Sequence, residues 1–352
     1  MHQFTKKIAH AAMTLAAVAT FAGGALAADI SGAGATFPYP IYAKWADAYK
    51  KETGIGLNYQ SIGSGGGIKQ ITAKTVTFGA SDQPMKPEDL DKNGLIQFPM
   101  VMGGVVPVAN LKSIKPGEIK LDGATLAAIY MGKISKWNDA AIAKLNPDVK
   151  LPSTAIAAVY RSDGSGTNFL FTTYLSQVSP TFKESIGAAT SVEWPSGIGA
   201  KGNEGVAGMT TQTEGAIGYV EYAFAKQNKM TTINLINKDG KAVEPKSSAF
   251  QAAAAGADWA NAKGYYLVLT NQAGADSWPI TGASFILIHR QPQNPAAAGD
   301  ALKFFSWAYK TGGKMADELD YVAMPASVVS LVEKTWGEIK GADGKPVWMG
   351  AK

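Results

Sequence analysis

The segment RSDGSGT at residues 161–167 brings together residue types that bind anions, and it holds one of only two arginines in the chain. The apolar residues 155–159 before it predict a strand, and residues 168–175 after it predict a helix. Its glycines allow a tight turn with exposed backbone N–H groups, and its serine and threonine add hydroxyl donors where the helix dipole favours negative charge. Arg161 adds a permanently charged, planar guanidinium that matches the oxygens of phosphate or carboxylate. The segment therefore predicts an oxyanion-binding turn, although a serine N-cap after a loop glycine explains the turn alone equally well.

A second candidate lies near the start of the chain, where a short strand leads into a turn of small residues before Pro38. Proline suits the first turn of a helix, and apolar residues recur at helical spacing from there through Lys51. The hydroxyl of Thr36 and the N–H of Phe37 therefore lie near a helix start, where an anion is favoured.

A third candidate is Ser64, which lies in the glycine-rich turn GSGGG at residues 63–67. Residues 55–61 before the turn predict a strand, and residues 68–75 after it predict a helix. No Lys-Ser or Lys-Thr pair follows the glycines, so the turn is not a nucleotide-binding phosphate loop. Ser64 is therefore a candidate anion contact of the same kind as the turn at Arg161.

An acidic residue, Asp82, ends the predicted strand at residues 77–82. Ligands of open α/β sheets bind outside the carboxyl ends of the strands, so Asp82 is expected to face the same pocket. A carboxylate accepts a hydrogen bond from protonated phosphate but meets only bare oxygens on sulfate. The alternative is a turn-forming aspartate before the loop that contains Pro84.

The N-terminal 27 residues have the pattern of a cleavable secretory signal peptide. Lys6 and Lys7 precede an apolar run at residues 11–22, and Ala25-Leu26-Ala27 forms a small-x-small cleavage site. The apolar run is shorter than the ~17–25 residues of a membrane span. The pattern predicts cleavage after Ala27 and export to the periplasm, and the absence of cysteine suits an oxidising compartment.

Composition excludes several classes of function. Without residues 1–27 the chain has 31 basic and 28 acidic residues, and a net charge of about +3 is too balanced for a nucleic-acid-binding protein. Two of its three histidines lie in the predicted signal peptide, which leaves His289. With one histidine and no cysteine, zinc sites of Cys/His type are excluded. His289 follows an apolar run, which favours a role as the last residue of a strand over catalysis.

The remaining chain alternates predicted strands and helices. Residues 96–101 and 105–110 predict a buried strand pair with a bend at Gly103-Gly104, and the glycine-rich residues 197–205 predict a surface loop. Further predicted strands are 215–220, 232–236, 242–243 and 284–288, and further predicted helices are 125–130, 139–145, 221–228, 250–260, 296–310 and 327–339. The strand at 284–288 is expected to cross back into the first domain.

Together these motifs resemble the periplasmic phosphate-binding proteins of bacterial phosphate ABC importers, over nearly the whole mature chain. The segments that carry the resemblance are 32–38, 63–66, 78–82, 161–167, 215–222, 278–280 and 285–288. Familiar members have the sequence Gly-Ser-Ser-Gly at the turn that corresponds to residues 63–66. In this chain Gly65 replaces the second of those serines.

The resemblance implies a two-lobed α/β periplasmic binding protein of type II-like architecture, in which each lobe is a central sheet flanked by helices. The implied boundaries are 1–27 for the signal peptide, 28–106 with 282–352 for lobe I, and 107–281 for lobe II. The implied contacts to phosphate in the interlobe cleft are Thr36, Phe37, Ser64, Asp82, Arg161, Ser165, Gly166 and Thr167. A non-catalytic, monomeric receptor is expected, without cofactor or metal, which delivers inorganic phosphate to the membrane permease subunits of an ABC transporter.

The sequence leaves three alternatives open. A receptor for sulfate, molybdate or another oxyanion is disfavoured by Asp82. A secreted phosphoesterase with Ser64 or Ser165 as nucleophile is disfavoured because neither serine has a glycine two residues upstream, as a nucleophile elbow requires. An adhesive or signalling role of the surface has no recognisable sequence signature.

Overall fold

A computed structural model describes residues 30–350 of the chain. The predicted signal peptide lies outside the described residues. The strands are β1 (Ile30–Gly34), β2 (Leu57–Ser61), β3 (Phe78–Ser81), β4 (Leu95–Ala109), β5 (Lys120–Asp122), β6 (Ala157–Arg161), β7 (Ile198–Ala200), β8 (Ala216–Glu221), β9 (Thr231–Thr232), β10 (Asn234–Ile236), β11 (Ala242–Val243), β12 (Thr281–His289) and β13 (Val322–Ala323).

The helices lie between and around these strands. They are α1 (Tyr39–Thr53), α2 (Ser64–Thr72), α3 (Pro87–Asn93), α4 (Gly123–Tyr130), α5 (Ala140–Leu145), α6 (Gly166–Val178), α7 (Pro180–Ser185), α8 (Gly202–Gln212), α9 (Tyr222–Gln227), α10 (Ser247–Ala254), α11 (Pro295–Thr311), α12 (Gly313–Glu318) and α13 (Ala326–Thr335), with short 3-10 helices at Lys263–Tyr265 and Trp336–Glu338. Within residues 30–350, every helix is too short or too polar to span a bilayer.

The main sheet has the strand order β2-β1-β3-β12-β4-β8-β6-β7. Strands β2, β1 and β3 run parallel to one another and form what we call the first half-sheet. Strands β8, β6 and β7 are also parallel and form the second half-sheet. The long strands β12 and β4 lie between them, and each runs antiparallel to its neighbours. Helices cover both half-sheets, α1, α2 and α11 on the first and α6 and α8 on the second.

Strand β4 corrects one expectation of the sequence analysis, because it is a single strand of 15 residues, all buried, and not a pair with a bend at Gly103-Gly104. The glycines provide space and not a turn. A Cβ atom on Gly104 would lie 2.1 Å from the ring of Phe250, so only glycine lets that ring pack against the strand. The expected bend is replaced by an irregularity in the pairing of β4 with β12 between Ser284 and Phe285.

The glycine-rich residues 197–205 correct a second expectation, because they form β7 and the start of α8 and not a surface loop. Gly197 and Gly202 have φ values of 112° and 71°, so these two glycines make the turns before and after β7. Gly199 lies against β6, where a Cβ would approach Ser162 Cβ to 3.1 Å. Four glycines in nine residues resemble a mobile loop in sequence, but here they allow close packing.

Other elements agree with the predictions to within a few residues. The hairpin of β10 and β11 is present, and β12 lies in the centre of the sheet and ends at His289, so this residue is at the end of a strand as expected. The predicted helix at 250–260 is shorter and earlier, since α10 ends at Ala254. The imidazole Nε2 of His289 lies 2.7 Å from the carbonyl oxygen of Ile71, which accounts for this residue as part of the core.

Candidate functional site

The carboxyl ends of the two half-sheets face each other, and the residues after those ends meet in one buried site, which we call the crevice. Thr36 follows β1, Ser64 follows β2 and Asp82 follows β3, while Ser165, Gly166 and Thr167 follow β6 and Asn203 follows β7. Gly166 is buried, each of the other residues is at most 2% exposed, and Arg161 at the end of β6 is 3% exposed. Parallel strands bring their carboxyl ends to one edge, which is why residues far apart in sequence meet here.

Ser64 begins α2 and is held by two backbone amides from opposite halves of the sheet. Its Oγ accepts hydrogen bonds from the N–H of Asp82 at 3.1 Å and from the N–H of Gly166 at 3.0 Å. A hydroxyl oxygen has two lone pairs and one hydrogen, so both acceptor positions are occupied. The Ser64 hydroxyl can therefore act toward a further group only as a donor.

Gly166 must be glycine because it packs directly against the other site residues. A Cβ at this position would lie 2.5 Å from Ser64 Oγ and 2.6 Å from Asp82 Oδ2. The preceding residue, Ser165, is the N-cap of α6, and its Oγ accepts from the N–H of Asn168 at 3.0 Å. The N-cap interpretation of Ser165 is thus confirmed, and it leaves the hydroxyl hydrogen of Ser165 available for an anion.

Asp82 is a buried carboxyl group with an unsatisfied oxygen. It is 1% exposed, and its Oδ1 has no hydrogen-bond partner among residues 30–350. Burial raises the pKa of Asp82 from 3.8 to about 7, although the nearby Ser284 hydroxyl, the positive charge of Arg161 and the Ser64 hydroxyl lower it. An unpaired buried acceptor is costly, so this oxygen indicates a place where a hydrogen-bond donor is expected.

Arg161 is the complementary buried cation. Its Nε and Nη2 donate to the two carboxylate oxygens of Asp163 at 2.8 and 2.6 Å, while its Nη1 has no partner among the described residues. Burial would raise the pKa of Asp163, but hydrogen bonding and charge attraction to Arg161 outweigh burial and lower it. Asp163 also accepts from the N–H of Gly202 at 3.1 Å. The guanidinium is therefore fixed in orientation, with one N–H edge left for another acceptor.

Asn203, in the first turn of α8, is a site residue that the sequence analysis missed. Its Nδ2 donates to Thr36 Oγ1 at 2.6 Å and to Thr167 Oγ1 at 3.2 Å, so one amide joins residues of both half-sheets. The residue lies in the segment interpreted as a surface loop. A usable signal was present, since the buried residues Val206, Ala207 and Thr210 after it have helical spacing.

Phe37 contributes its backbone, while its ring is fully buried in the core. Its carbonyl accepts a hydrogen bond from the Tyr321 hydroxyl at 2.6 Å, and the same hydroxyl lies 2.7 Å from Oε2 of Glu221. Glu221 is the last residue of β8, and burial raises its pKa well above the ordinary value. The turn that holds Thr36 is thus supported from the opposite half of the sheet.

Contacts between the two halves close the outer side of the crevice. The Gly65 N–H donates to the carbonyl of Gly164 at 2.9 Å, and the Ser61 hydroxyl donates to Glu204 Oε1 at 3.2 Å. Glu204 therefore takes part in the closure. Neither Ser64 nor Ser165 has a histidine as a base, because the only histidine among residues 30–350, His289, is hydrogen-bonded to the carbonyl of Ile71. These same residues contain no cluster of three metal-binding side chains.

Comparison with known proteins identifies relatives over most of the chain. Residues 19–311 match a family model described as a PBP superfamily domain. The phosphate-binding protein PstS of Pasteurella multocida is 53% identical over 339 residues, which cover 96% of this chain and 98% of that protein. The phosphate-binding protein PstS of Haemophilus influenzae is 54% identical over 312 residues, or 89% of this chain and 93% of that protein.

Solved structures show the same fold at low sequence identity. A phosphate-binding protein from Stenotrophomonas maltophilia superposes with a TM-score of 0.69 at 19% identity, over 86% of this chain and 92% of that one. A phosphate ABC transporter substrate-binding protein with bound phosphate, from Clostridium perfringens, gives a TM-score of 0.61 at 16% identity, over 84% of this chain and all of that one. These matches confirm the α/β periplasmic binding protein fold.

Proposed function

The chain belongs to the family of phosphate-binding proteins named PstS, and we propose that it binds inorganic phosphate in the buried crevice and delivers it to the membrane permease of an ABC importer. Relatives at more than 50% identity carry the name of a binding protein, and the chain is not an enzyme. A solved structure with this fold is named a periplasmic phosphate-binding protein, and this name supports export of the chain by the predicted signal peptide.

The observation that carries the proposal is the set of unused hydrogen-bonding groups in the crevice. Asp82 Oδ1 offers only an acceptor when ionised, and Arg161 Nη1 offers only a donor. The Ser64 hydroxyl can only donate, as its lone pairs are occupied. A ligand that fits must accept several hydrogen bonds and donate one, which describes a phosphate that still carries a hydrogen.

The proposed contacts are the residues predicted from sequence. They are the hydroxyl and N–H of Thr36, the N–H of Phe37, the hydroxyls of Ser64, Ser165 and Thr167, the carboxylate of Asp82, the guanidinium of Arg161 and the N–H of Gly166. The Gly166 N–H also donates to Ser64 Oγ at 3.0 Å, so we expect this amide to be shared between Ser64 and the ligand.

Binding is strong in this proposal because many donors replace the lost hydration of the anion. A dianion gives up a large hydration free energy on burial, so nearly all of its lone pairs need donors in the crevice. Charge-assisted hydrogen bonds contribute about 1.5–3 kcal/mol each, and several of them reach the roughly −8.2 kcal/mol of micromolar affinity.

Selectivity against sulfate rests on Asp82. Ionised Asp82 would meet a bare sulfate oxygen with no hydrogen between them, and sites that require such a hydrogen bond reject analogues without it by about 10⁴–10⁵. Protonation of Asp82 would relieve the repulsion. The discrimination therefore depends on pH and is expected to weaken as the pH falls toward the pKa of about 7.

We propose that each half-sheet is the centre of one lobe. Lobe I comprises residues 28–106 and 282–352, and lobe II comprises residues 107–281, so that β4 and β12 cross between them. A ligand held by residues of both lobes favours the closed arrangement, which a permease can then recognise.

Calorimetry on protein that has been unfolded, stripped of ligand and refolded tests the proposal. We expect 1:1 phosphate binding at micromolar affinity or tighter, and a loss of at least about 100-fold in the Arg161→Ala variant, because a buried charge-assisted contact is removed. Undetectable phosphate binding by the refolded wild-type protein would overturn the proposal. Circular dichroism of both proteins provides the control for folding.

A further inference from the structure

We propose that Asn203 is a positioning residue that turns the hydroxyl hydrogens of Thr36 and Thr167 into the crevice, so that both side chains act as donors to the bound phosphate. The inference deepens the proposed function and rests on it. In this inference Asn203 fixes the direction in which the two neutral hydroxyl groups donate, and Asn203 itself need not touch the ligand.

The orientation of the Asn203 amide is fixed by its surroundings. Its Oδ1 accepts a hydrogen bond from the backbone N–H of Glu221 at 2.9 Å, and that N–H can only donate. A flipped amide would place its NH₂ group against this donor. The Nδ2 atom therefore faces the threonines, and each of its two hydrogens has an acceptor, Thr36 at 2.6 Å and Thr167 at 3.2 Å.

The hydrogen-bond capacity of Thr36 is then fully determined. Its Oγ1 accepts from Asn203 twice, from Nδ2 at 2.6 Å and from the backbone N–H at 3.1 Å. Both lone pairs of the hydroxyl are occupied, and the single hydrogen is the only group it can still offer. Thr167 receives one of these bonds, which leaves its hydrogen to be placed on another acceptor.

Both lone pairs of the Ser64 hydroxyl are occupied as well, but there the two donors are backbone amides and not a side chain. Asn203 differs because a substitution can change the chemistry without altering the backbone. It is also fully buried and spans both half-sheets, since Thr36 follows β1 and Thr167 follows β6. Substitution of Asn203 should therefore weaken phosphate binding more than substitution of an equally buried asparagine outside the crevice.

The decisive variant is Asn203→Asp, which keeps the shape and replaces the NH₂ donor by an acceptor. To bind phosphate, the introduced carboxyl must become protonated, because a carboxylate would reverse the threonine hydroxyls and repel the anion. We expect at least about 100-fold weaker phosphate binding at pH 8, with the uptake of about one additional proton relative to the wild-type protein. Calorimetry in buffers of different ionisation enthalpy measures that proton directly.

Two further variants make the test specific. Asn203→Ala removes the donor without adding a charge, and it should weaken binding about tenfold without additional proton uptake. Asn146→Asp is the matched control, because Asn146 is 3% exposed, uses its whole amide on Lys120 and Ile142, and lies outside the crevice. It should bind phosphate as the wild-type protein does.

The outcomes separate this inference from the proposed function. If the wild-type protein binds phosphate and Asn203→Asp binds within threefold of it with no additional proton, the role of Asn203 is wrong and the proposed function stands. If Asn203→Asp does not fold, Asn203→Ala decides, and binding within twofold of wild type overturns the inference. If the wild-type protein binds no phosphate, the proposed function fails first.

Discussion

At the scale of single residues, the hydroxyl groups of Thr36 and Ser64 are restricted to donating hydrogen bonds. In both residues two N–H donors occupy the lone pairs, and only the hydrogen remains. Asp82 has the opposite character, because its Oδ1 is an acceptor without a partner among the described residues. The crevice thus contains donors and one acceptor in fixed positions, and the ligand must supply the complementary pattern.

The raised pKa of Asp82 predicts a pH-dependent stability of the phosphate-free protein. A carboxyl whose pKa is about 7 in the folded state and 3.8 when unfolded contributes its full stability below pH 3.8, and that contribution is lost as the pH rises through 7. The Asp82→Asn variant has no carboxyl group at this position, so its stability does not decrease with pH for this reason. Its free energy of unfolding relative to the wild-type protein should therefore increase by ~1–4 kcal/mol between pH 5 and pH 8.

Urea unfolding of ligand-stripped proteins at the two pH values measures this difference. The other buried acid, Glu221, is present in both proteins, so its titration largely cancels. Asp91→Asn serves as the control, because Asp91 is exposed and paired with Arg290 at the surface. A difference that is equal at pH 5 and pH 8 would show that Asp82 ionises as an ordinary carboxylate.

At the scale of secondary-structure elements, four helices begin at or just after residues of the crevice. They are α1, whose first residue Tyr39 follows Thr36 by three positions, α2 at Ser64, α6 at Gly166 and α8 at Gly202, and the positive ends of their dipoles all favour an anion there. The formal charges of the side chains do not favour an anion, because the two carboxyl groups of Asp82 and Asp163 outnumber the one guanidinium of Arg161. Binding in this account depends on oriented dipoles and hydrogen bonds, and only in part on net charge.

The contact between α6 and the first half-sheet predicts a large effect of a single methyl group. In Gly166→Ala the new Cβ would lie 2.5 Å from both Asp82 Cβ and Ser64 Oγ, so the two halves could not approach as closely. We expect at least about 100-fold weaker phosphate binding and a stability loss of about 1–3 kcal/mol. Calorimetry and urea unfolding measure the two effects.

Gly208→Ala is the matched control, because this glycine lies within α8 and a Cβ there would meet nothing within 4 Å. Alanine is the better helix former, so this variant should be unchanged or more stable by up to about 1 kcal/mol. Equal phosphate affinity in Gly166→Ala and Gly208→Ala would mean that the halves do not need this close contact.

The elements also show which parts of the site could be predicted from sequence. The strands and helices around Ser64 and Arg161 follow from local residue patterns, but α2 begins at Ser64 and not at residue 68, so the glycines at 65–67 are the first turn of a helix and not a separate turn. Asn203 was missed because glycines that permit tight packing look the same in sequence as glycines of a loop. The bonding of Asn203 depends on Thr36 and Glu221, which are distant in sequence, so no local pattern describes it.

At the scale of the whole molecule, two long strands connect the halves that hold the site. Both β4 and β12 are buried along their whole length, so they form a stiff centre between the half-sheets. Across the crevice the two halves are joined by hydrogen bonds, such as the one between Ser61 and Glu204 at 3.2 Å. The halves are therefore expected to separate at the crevice and to pivot at the crossing strands.

Small-angle X-ray scattering of the ligand-stripped protein checks this pivot. Phosphate should decrease the radius of gyration, because a ligand with contacts on both halves binds the closed arrangement better than the open one. Arg161→Ala at the same phosphate concentration should show a smaller decrease or none. An identical radius with and without phosphate in the wild-type protein would indicate a crevice that stays closed.

A buried carboxylate that requires a hydrogen on the ligand should favour phosphate over sulfate, and the ratio of the two affinities measures this preference. Calorimetry at pH 8 should show sulfate binding far more weakly than phosphate in the wild-type protein. The ratio should decrease as the pH is lowered to 6, where Asp82 is mostly protonated, and it should be small at both pH values in Asp82→Asn. Equal affinities for sulfate and phosphate at pH 8 in the wild-type protein would mean that Asp82 does not select for a hydrogen on the ligand.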